Sequence, residues 1–155
     1  MPFILGRRSR DNLDGVHPHL VHVVDRAIQL TTQDFSVHEG VRSAERQALL
    51  FAQGRSHIDG VTKRGRHQVG SDGYGYAVDL VPYCAGELVW EWNILFPVCD
   101  AVREAAIELA TPIRWGGTWT EITQERFNGM SAREIYNANP SWDGAHFELP
   151  SRLYP

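Results

Sequence analysis

A carboxylate stands inside an apolar stretch of the chain, and this position limits the ways in which the chain can fold. Residues 76–82 are rich in apolar side chains and predict a strand, yet Asp79 interrupts the run. A carboxylate is costly to bury in a strand unless it is paired, solvated or bound to a metal ion. The sheet that contains this strand must therefore offer Asp79 one of these three environments.

The order of the predicted helices and strands favours an α+β fold. Apolar residues at helical spacing predict helices over residues 18–30 and 94–109, and Ser43 is a suitable N-cap for a third helix that ends near Gln53. Residues 54–75 are rich in glycine and polar side chains and predict a long loop. The other predicted elements are a short helix at 131–136, a hairpin at 87–92 and strands at 34–38, 76–82, 112–116 and 145–149. Because helices and strands do not alternate, we expect a single domain with an antiparallel sheet and helices packed on it.

Length and composition fit one globular domain. The chain has 155 residues, of which 43% are hydrophobic and 22% charged, and its net charge of −4 gives no reason to expect nucleic acid as a partner. Residues 1–8 place their charges after a short apolar run, which is the reverse of a secretory signal. No stretch approaches the roughly 18 apolar residues of a membrane span, so we expect a cytoplasmic protein without membrane insertion. Cys84 and Cys99 fall in no metal or redox spacing; reduced thiols are expected, and a disulfide between them is the alternative.

A second group of polar residues lies near the end of the chain. Alternation over residues 145–149 puts His146 and Glu148 on one face of a strand, so that His146 faces a cleft or solvent. Asp143 precedes this strand by three residues, and His67 lies in the long glycine-rich loop. Each alone has a plain explanation, as a surface histidine or a turn residue. Together with Asp79 they offer two imidazoles, a carboxylate ligand and a spare carboxylate, which suits a catalytic zinc and the base that activates its water.

These residues also match a known family in order and in flanking sequence. The chain resembles the zinc peptidases that cut bacterial cell-wall peptides: the D-Ala-D-Ala carboxypeptidases and dipeptidases, and above all the L-alanyl-D-glutamate endopeptidases that serve as phage endolysins. The family pattern Ser-x-His-x-x-Gly-x-Ala-x-Asp is followed far downstream by an acidic residue shortly before a histidine. The resemblance covers residues 39–43, 45–47, 53–56, 67–70, 77–83, 113–117 and 143–149. It implies a Hedgehog/DD-peptidase-like α+β fold.

The chain departs from the family pattern between the first histidine and the aspartate. Eleven residues separate His67 from Asp79, more than the pattern has, because residues 71–75 look inserted, and Gly65 stands where the pattern has serine. An alternative register keeps the usual interval by placing Asp72 at the histidine position, which would give an Asp/Asp/His site or an inactive one. We favour His67, because imidazole is the better zinc ligand and a glycine-rich insertion can loop out at little cost. His57 is a weaker candidate.

The resemblance implies a role for each of these residues. His67, Asp79 and His146 would bind Zn²⁺, and Asp143 would act as the base that takes a proton from the attacking water. Arg42, which follows a predicted strand, would bind a substrate carboxylate or the developing oxyanion. Glu148 would orient a ligand rather than act as the base. Aromatic residues near the site, Trp115, Trp119 and Trp142, would pack in the core or form a platform for glycan or stem peptide.

The resemblance also implies a biological setting. The expected protein is an endolysin that cuts the L-Ala–D-Glu bond of the peptidoglycan stem peptide. It would be one monomeric zinc peptidase domain over residues 1–155, with no room for a separate wall-binding module. It would wait in the cytoplasm of the bacterial host until a holin-type pore gives access to the wall. The alternatives are a carboxypeptidase of the same chemistry, which removes terminal D-Ala, and a binding module with a decayed zinc site.

Overall fold

Six strands form the antiparallel sheet around which the chain folds, and the strand with Asp79 lies inside it. A computed structural model describes residues 2–60 and 64–155. The sheet order is β1-β2-β6-β4-β5, and β3 forms a hairpin with the end of β2. The strands are β1 (Phe35–Glu39), β2 (Ala77–Cys84), β3 (Glu87–Leu88), β4 (Arg114–Trp115), β5 (Thr120–Glu121) and β6 (His146–Glu148). The helices of the described residues are α1 (Arg7–Asn12), α2 (Pro18–Leu30), α3 (Ala44–Ala52), α4 (Trp92–Glu108) and α5 (Ala132–Ala138), with a 3₁₀ turn at Glu125–Phe127.

The pairing of β2 with β6 decides which side chains share a face of the sheet. Asp79 lies opposite His146, and Val78 lies opposite Phe147. Residues directly opposite each other in an antiparallel pair point to the same face, and neighbours along a strand point to opposite faces. The polar pair therefore shares one face, while Val78 and Phe147 join the hydrophobic core on the other.

Two amphipathic helices, α2 and α4, contribute most of the helical side of that core. In α2 the apolar stripe is buried, with every member at most 3% exposed: Leu20, Val23, Val24, Ala27 and Ile28. The two helices pack against each other, and α4 also contacts β2. Burying one such side chain contributes about 1.5–3 kcal/mol, so this stripe fixes the helices on the sheet. The α+β prediction is confirmed.

Most predicted elements are present, with shifted ends. The helix at 18–30 has the predicted ends, and the Ser43 side chain accepts a hydrogen bond from the backbone N–H of Arg46 as the N-cap of α3. Helix α4 begins at Trp92, before its predicted start, and the short helix predicted at 131–136 extends to Ala138. The strand predicted at 112–116 has only two residues, while α1 and β5 were not predicted.

Both cysteines are free thiols, as expected. Among the described residues, no helix has the length and apolar character needed to cross a membrane.

The inserted segment at 71–75 folds as a turn that docks on the start of α2. The backbone N–H of Gly70 donates to the carbonyl of Tyr74, which closes the turn at 2.8 Å. Gly75 then bonds in both directions, donating to the Gly15 carbonyl and accepting from the N–H of His17, each at 2.9 Å. The insertion therefore loops out from the sheet and is held by backbone hydrogen bonds, and β2 begins directly after it.

Candidate metal centre

Three side chains from distant parts of the sequence converge on the polar face of the sheet. His67 Nε2 lies 3.3 Å from Asp79 Oδ1, and His146 Nδ1 lies 3.5 Å from the same oxygen. One ligand atom from each residue lies within 4.8 Å of those of the other two. Two ligands bound to one tetrahedral zinc at about 2.0–2.1 Å would be about 3.3 Å apart. The group could therefore hold a metal ion with little rearrangement.

Two of these atoms are buried without a partner. Within the described residues, His67 Nε2 and Asp79 Oδ1 have almost no exposed surface and accept or donate no hydrogen bond. A buried polar atom left unsatisfied costs about 1–3 kcal/mol, so folded proteins seldom leave two in one place. A cation between the three side chains would satisfy both atoms. The donor set therefore fits a bound metal.

The other ring nitrogen of each histidine is fixed by an acceptor behind it. His67 Nδ1 donates to the Gly40 carbonyl at 2.8 Å, and His146 Nε2 donates to Glu148 Oε1 at 2.8 Å. Because a carbonyl or carboxylate oxygen can only accept, each proton is held on the rear nitrogen. The nitrogen that faces Asp79 is then free to offer its lone pair. Such rear partners are typical of metal-binding histidines.

Electrostatics link the three candidate ligands. Burial opposes ionisation of Asp79, but the adjacent imidazoles of His67 and His146 hold the pKa of its carboxyl well below the usual range. Burial likewise opposes the charged form of His146, but the adjacent carboxylates of Asp79 and Glu148 raise the pKa of its imidazole to about 10. Without a metal ion, the site is therefore an ion cluster in which His146 carries a proton.

Asp143 lies beside the ligand group, as its spacing suggested. Its Oδ2 is 3.9 Å from His146 Nδ1, and its side chain is about one-quarter exposed at 26%. The turn before β6 sets this position, because the N–H of His146 donates to the Asp143 carbonyl and the N–H of Asp143 donates to that of Gly116. Burial raises the pKa of the Asp143 carboxyl; the charge of Asp79 adds to this, and that of His146 opposes it. A carboxylate with a raised pKa at this place suits proton transfer.

Arg42 reaches the same site but is already engaged. Its Nε and Nη2 donate to the two carboxylate oxygens of Glu39 at 2.8 and 2.9 Å, and its Nη1 donates to the Gln47 side chain at 2.9 Å. Its Nη2 is also 3.9 Å from Asp79 Oδ2. The guanidinium is thus oriented next to a candidate ligand, but one of its two-pronged edges is occupied by Glu39.

The prediction that Trp115 contacts substrate is wrong. Its side chain is 0% exposed, its ring stacks with Phe147 in the core, and its Nε1 donates to the Gly144 carbonyl at 2.8 Å. The cause is the pairing of β4 with β6, which puts Trp115 opposite Phe147 and Arg114 opposite Glu148. Trp115 therefore supports the segment before His146 from behind.

Two other tryptophans do lie on the site side. The ring of Trp119 is 5.1 Å from that of His146 and 6.1 Å from that of Trp142, which is 67% exposed. Trp119 has a φ of 53°, in the left-handed region, which costs a non-glycine residue about 1–2 kcal/mol. Such strain persists where surrounding contacts enforce it, and it is common at functional sites. The sequence grouped both tryptophans near the site and named Trp142 as a candidate substrate contact, but it did not predict that Trp119 would pack against His146.

Two arginines near Glu148 were not predicted as site residues. Arg66 Nε lies 3.7 Å and Arg114 Nη1 lies 3.5 Å from Glu148 Oε2. A signal for Arg114 was present, because apolar Ile113 and Trp115 on either side of it imply that it faces away from the core. The signal is weak, since three residues barely define an alternation.

The alternative register for the metal site fails in the structure. Asp72 is exposed in the inserted turn, where its Oδ1 accepts from the backbone N–H of Tyr74 at 3.0 Å. His57 is exposed as well. Among the described residues, neither belongs to a group that could hold a metal ion, whereas His67 does.

Comparisons with known proteins agree with this geometry. The chain matches the family described as phage L-alanyl-D-glutamate peptidase over residues 1–150. It is 30% identical over 150 residues to the L-alanyl-D-glutamate peptidase of Escherichia phage T5, and the match covers 96% of this chain and 99% of that protein. It also resembles the crystal structure of the Serratia marcescens L-Ala D-Glu endopeptidase ChiX. That similarity has a TM-score of 0.73 and 36% identity, and covers 98% of this chain and 94% of the other. The chain therefore belongs to the phage L-alanyl-D-glutamate peptidase family.

Proposed function

We propose that the protein is a zinc-dependent peptidase that hydrolyses the L-Ala–D-Glu bond in the stem peptide of bacterial peptidoglycan. One observation carries the proposal: a buried His67/Asp79/His146 group with two unsatisfied polar atoms lies next to Asp143 in a member of this peptidase family. The family supplies the class of bond. The geometry supplies the means of cutting it.

The donor set supports zinc as the ion. Two imidazole nitrogens and one carboxylate oxygen are a common zinc ligand set, and an open fourth position is what a catalytic site needs. When bound, zinc would polarise the scissile carbonyl and lower the pKa of water in the site. His67, Asp79 and His146 would hold it, with the Gly40 carbonyl and Glu148 fixing the two rings.

The residues around the ligands divide the remaining work. Asp143 accepts a proton from the attacking water and returns it to the leaving amine of D-Glu, so that one carboxylate serves both halves of the hydrolysis. Arg42, already oriented by Glu39, stabilises negative charge that develops beside Asp79. Trp142 offers an exposed aromatic face to the substrate.

The two alternatives have less support. A carboxypeptidase that removes terminal D-Ala would share the chemistry, but the matched relatives are named for the L-Ala–D-Glu bond. The binding module with a decayed zinc site depended on Asp72 replacing a histidine, and that register has no support now that Asp72 is an exposed turn residue.

We also propose that residues 1–155 work as one peptidase domain and as a monomer. The match to the phage T5 protein extends over nearly the full length of both chains, which supports a shared one-domain plan. As a phage-type enzyme, it would reach the wall from the host cytoplasm after release through a holin-type pore.

Mass spectrometry of digested cell wall tests the function. Purified Gram-negative peptidoglycan is incubated with zinc-loaded protein, and the soluble products are sequenced. Stem peptides with a new N-terminal D-Glu are expected, and Asp143→Asn protein should release none. Loss of terminal D-Ala alone would instead establish a carboxypeptidase, and no release at all would contradict a wall peptidase.

A further inference from the structure

Glu148 faces more positive charge than its own carboxylate balances. Glu148 faces two guanidinium groups, those of Arg66 and Arg114, although one would balance its charge. Its other oxygen accepts from His146, which is neutral whenever it binds a metal. Glu121, opposite Arg114 in the sheet, is already paired through both its oxygens with Arg152. A cation therefore remains available at this edge of the site.

Arg114 is the more accessible of the two arginines. Its side chain is 38% exposed, compared with 21% for Arg66, which donates to the Leu149 carbonyl and lies over the ring of Tyr76. Among the described residues, Nε is the only guanidinium nitrogen of Arg114 that donates a hydrogen bond. Its Nη1 and Nη2 are left to bind an anion from solution, since the ion pair with Glu148 is long at 3.5 Å.

The strained residue Trp119 holds Arg114 in place. Arg114 Nε donates to the Trp119 carbonyl at 3.1 Å, and the guanidinium carbon lies 5.0 Å from the centre of the indole ring. The same ring packs 5.1 Å from that of His146. The left-handed backbone at Trp119 thus connects a candidate metal ligand to an oriented, half-exposed guanidinium.

Arg42, by contrast, cannot present both of its two-pronged edges to a ligand. Glu39 occupies the edge formed by Nε and Nη2, and Gln47 accepts from Nη1. This argues for a division of labour, in which Arg42 acts beside Asp79 and another group binds the charged part of the substrate.

The substrate class has a charge of the right sign close to the scissile bond. D-Glu carries two carboxyl groups, and only one of them continues the peptide. The other remains on the residue that supplies the leaving amine, either as a carboxylate or, in amidated cell walls, as a carboxamide. Resting on the proposed function, we infer that Arg114, held by Trp119, binds this free D-Glu carboxylate and makes the enzyme prefer carboxylate over carboxamide stem peptides.

The test uses two synthetic stem peptides that differ only in this group. The zinc-loaded wild type should cleave the carboxylate peptide with a kcat/KM about tenfold or more above that for the carboxamide, which is the usual size of a hydrogen bond to a charged group. Arg114→Gln should lose about tenfold on the carboxylate peptide, mainly through KM, and change by less than about twofold on the carboxamide. Arg114→Lys should keep part of the preference, because lysine keeps the positive charge but not the paired donors of the planar guanidinium.

Arg126→Gln is the matched control. Arg126 is an exposed arginine that also lies over an aromatic ring, Phe127, at 4.5 Å, and its loss should leave the preference unchanged. A second readout needs no turnover: metal-free wild type should bind the product peptide that begins with D-Glu about tenfold more tightly than its amide, and Arg114→Gln should not.

Each outcome decides between the possibilities. Loss of the preference in Arg114→Gln, with retained cleavage of the carboxamide peptide, supports the inference. An equal fall on both peptides means that Arg114 only supports Trp119 and Glu148, and overturns it; so does a preference that survives the substitution. Cleavage of neither peptide by the wild type overturns the proposed function, and this inference with it.

Discussion

His146 is held from behind through one ring nitrogen, and this explains how a residue on a three-residue strand can be a precisely oriented candidate ligand. Glu148 accepts from its Nε2, while its Nδ1 faces Asp79. The carboxylate also faces Arg66 and Arg114, which favour its ionised form. The ring is therefore fixed in orientation, with a proton on Nε2, before any ion arrives.

Glu148→Gln tests this support. The amide oxygen can still accept from His146 Nε2, but without the charge we expect zinc affinity to fall by about 10–100-fold. Competition with a chromophoric chelator measures the affinity. Glu121→Gln is the matched control, since Glu121 lies in the same sheet, on β5, but is paired with Arg152. Equal zinc affinity in both variants would show that the Glu148 charge does not support the ligand.

Asp143→Asn separates catalysis from metal binding. The side chain keeps its size but can no longer accept the proton of water, so kcat should fall by about 10²–10⁴-fold. Zinc content should stay at the wild-type level, because Asp143 is not in the ligand group. Asp72→Asn, at an exposed carboxylate in the inserted turn, should leave both unchanged. Turnover at the wild-type rate in Asp143→Asn would remove Asp143 as the base.

At the scale of elements, the turn after β4 brings the proposed base, Asp143, and the candidate ligand His146 together. A side-chain carbon at Gly116 would lie 2.3 Å from the Asp143 carbonyl oxygen and 2.9 Å from the Cβ of His146. Such contacts are too close to be tolerated, and the backbone at Asp143 and His146 would have to move to relieve them. Only glycine lets β4 approach β6 so closely at this point.

Gly116→Ala should therefore damage the site as a unit. We expect Asp143 and His146 to be pushed apart, with losses in both zinc affinity and kcat, because misplacement by about 1 Å can cost about 100-fold in rate. Gly6→Ala is the control, since a side chain there meets nothing within 4 Å. Calorimetry and zinc titration of both variants provide the comparison. A fully active Gly116→Ala enzyme would mean that the turn can relax without moving the site.

The long elements could be predicted from sequence because their patterns are local. Thirteen residues in α2 repeat an apolar stripe several times, and Ser43 marks the start of α3 by its own chemistry. Strands β4 and β5 have two residues each, too few to show alternation, and their existence depends on pairing with distant residues. That is also why the sequence could not decide between the core and the substrate platform for Trp115.

For the candidate site, too, local sequence decided what could be predicted. The resemblance to a family identified His67, Asp79, His146 and Asp143, whose order in sequence is distinctive. Physical pattern alone pointed strongly only to Asp79, a carboxylate in an apolar run. Contacts made across strands were missed, such as those of Arg114 with Glu148 and of Trp119 with His146, because local sequence does not show which distant residues meet.

At the scale of the whole molecule, metal binding and proton release are coupled. In the metal-free protein the pKa of His146 is raised to about 10: burial opposes this, but the adjacent carboxylates of Asp79 and Glu148 dominate. His146 therefore carries a proton at neutral pH, and it must lose that proton before Nδ1 can donate its lone pair to an ion.

Zinc affinity should consequently rise with pH. The metal-free state holds the proton and the bound state does not, so each pH unit from about 6 to about 8 should raise the affinity by about tenfold. Isothermal titration in buffers of different ionisation enthalpy counts the protons released. A release of none, or an affinity independent of pH, would mean that His146 is already neutral in the metal-free protein.

The turn at residues 71–75 marks a place where the chain length of such enzymes can vary. It lengthens the chain between His67 and Asp79, yet the two ligand atoms remain 3.3 Å apart, because the extra residues leave the sheet and are anchored on α2. Residues can therefore be added or removed in this turn without changing the distance between His67 and Asp79. A genome search that demands a fixed interval between these two candidate ligands would miss this chain, whereas one that lets the interval between the histidine and the aspartate vary would recover it.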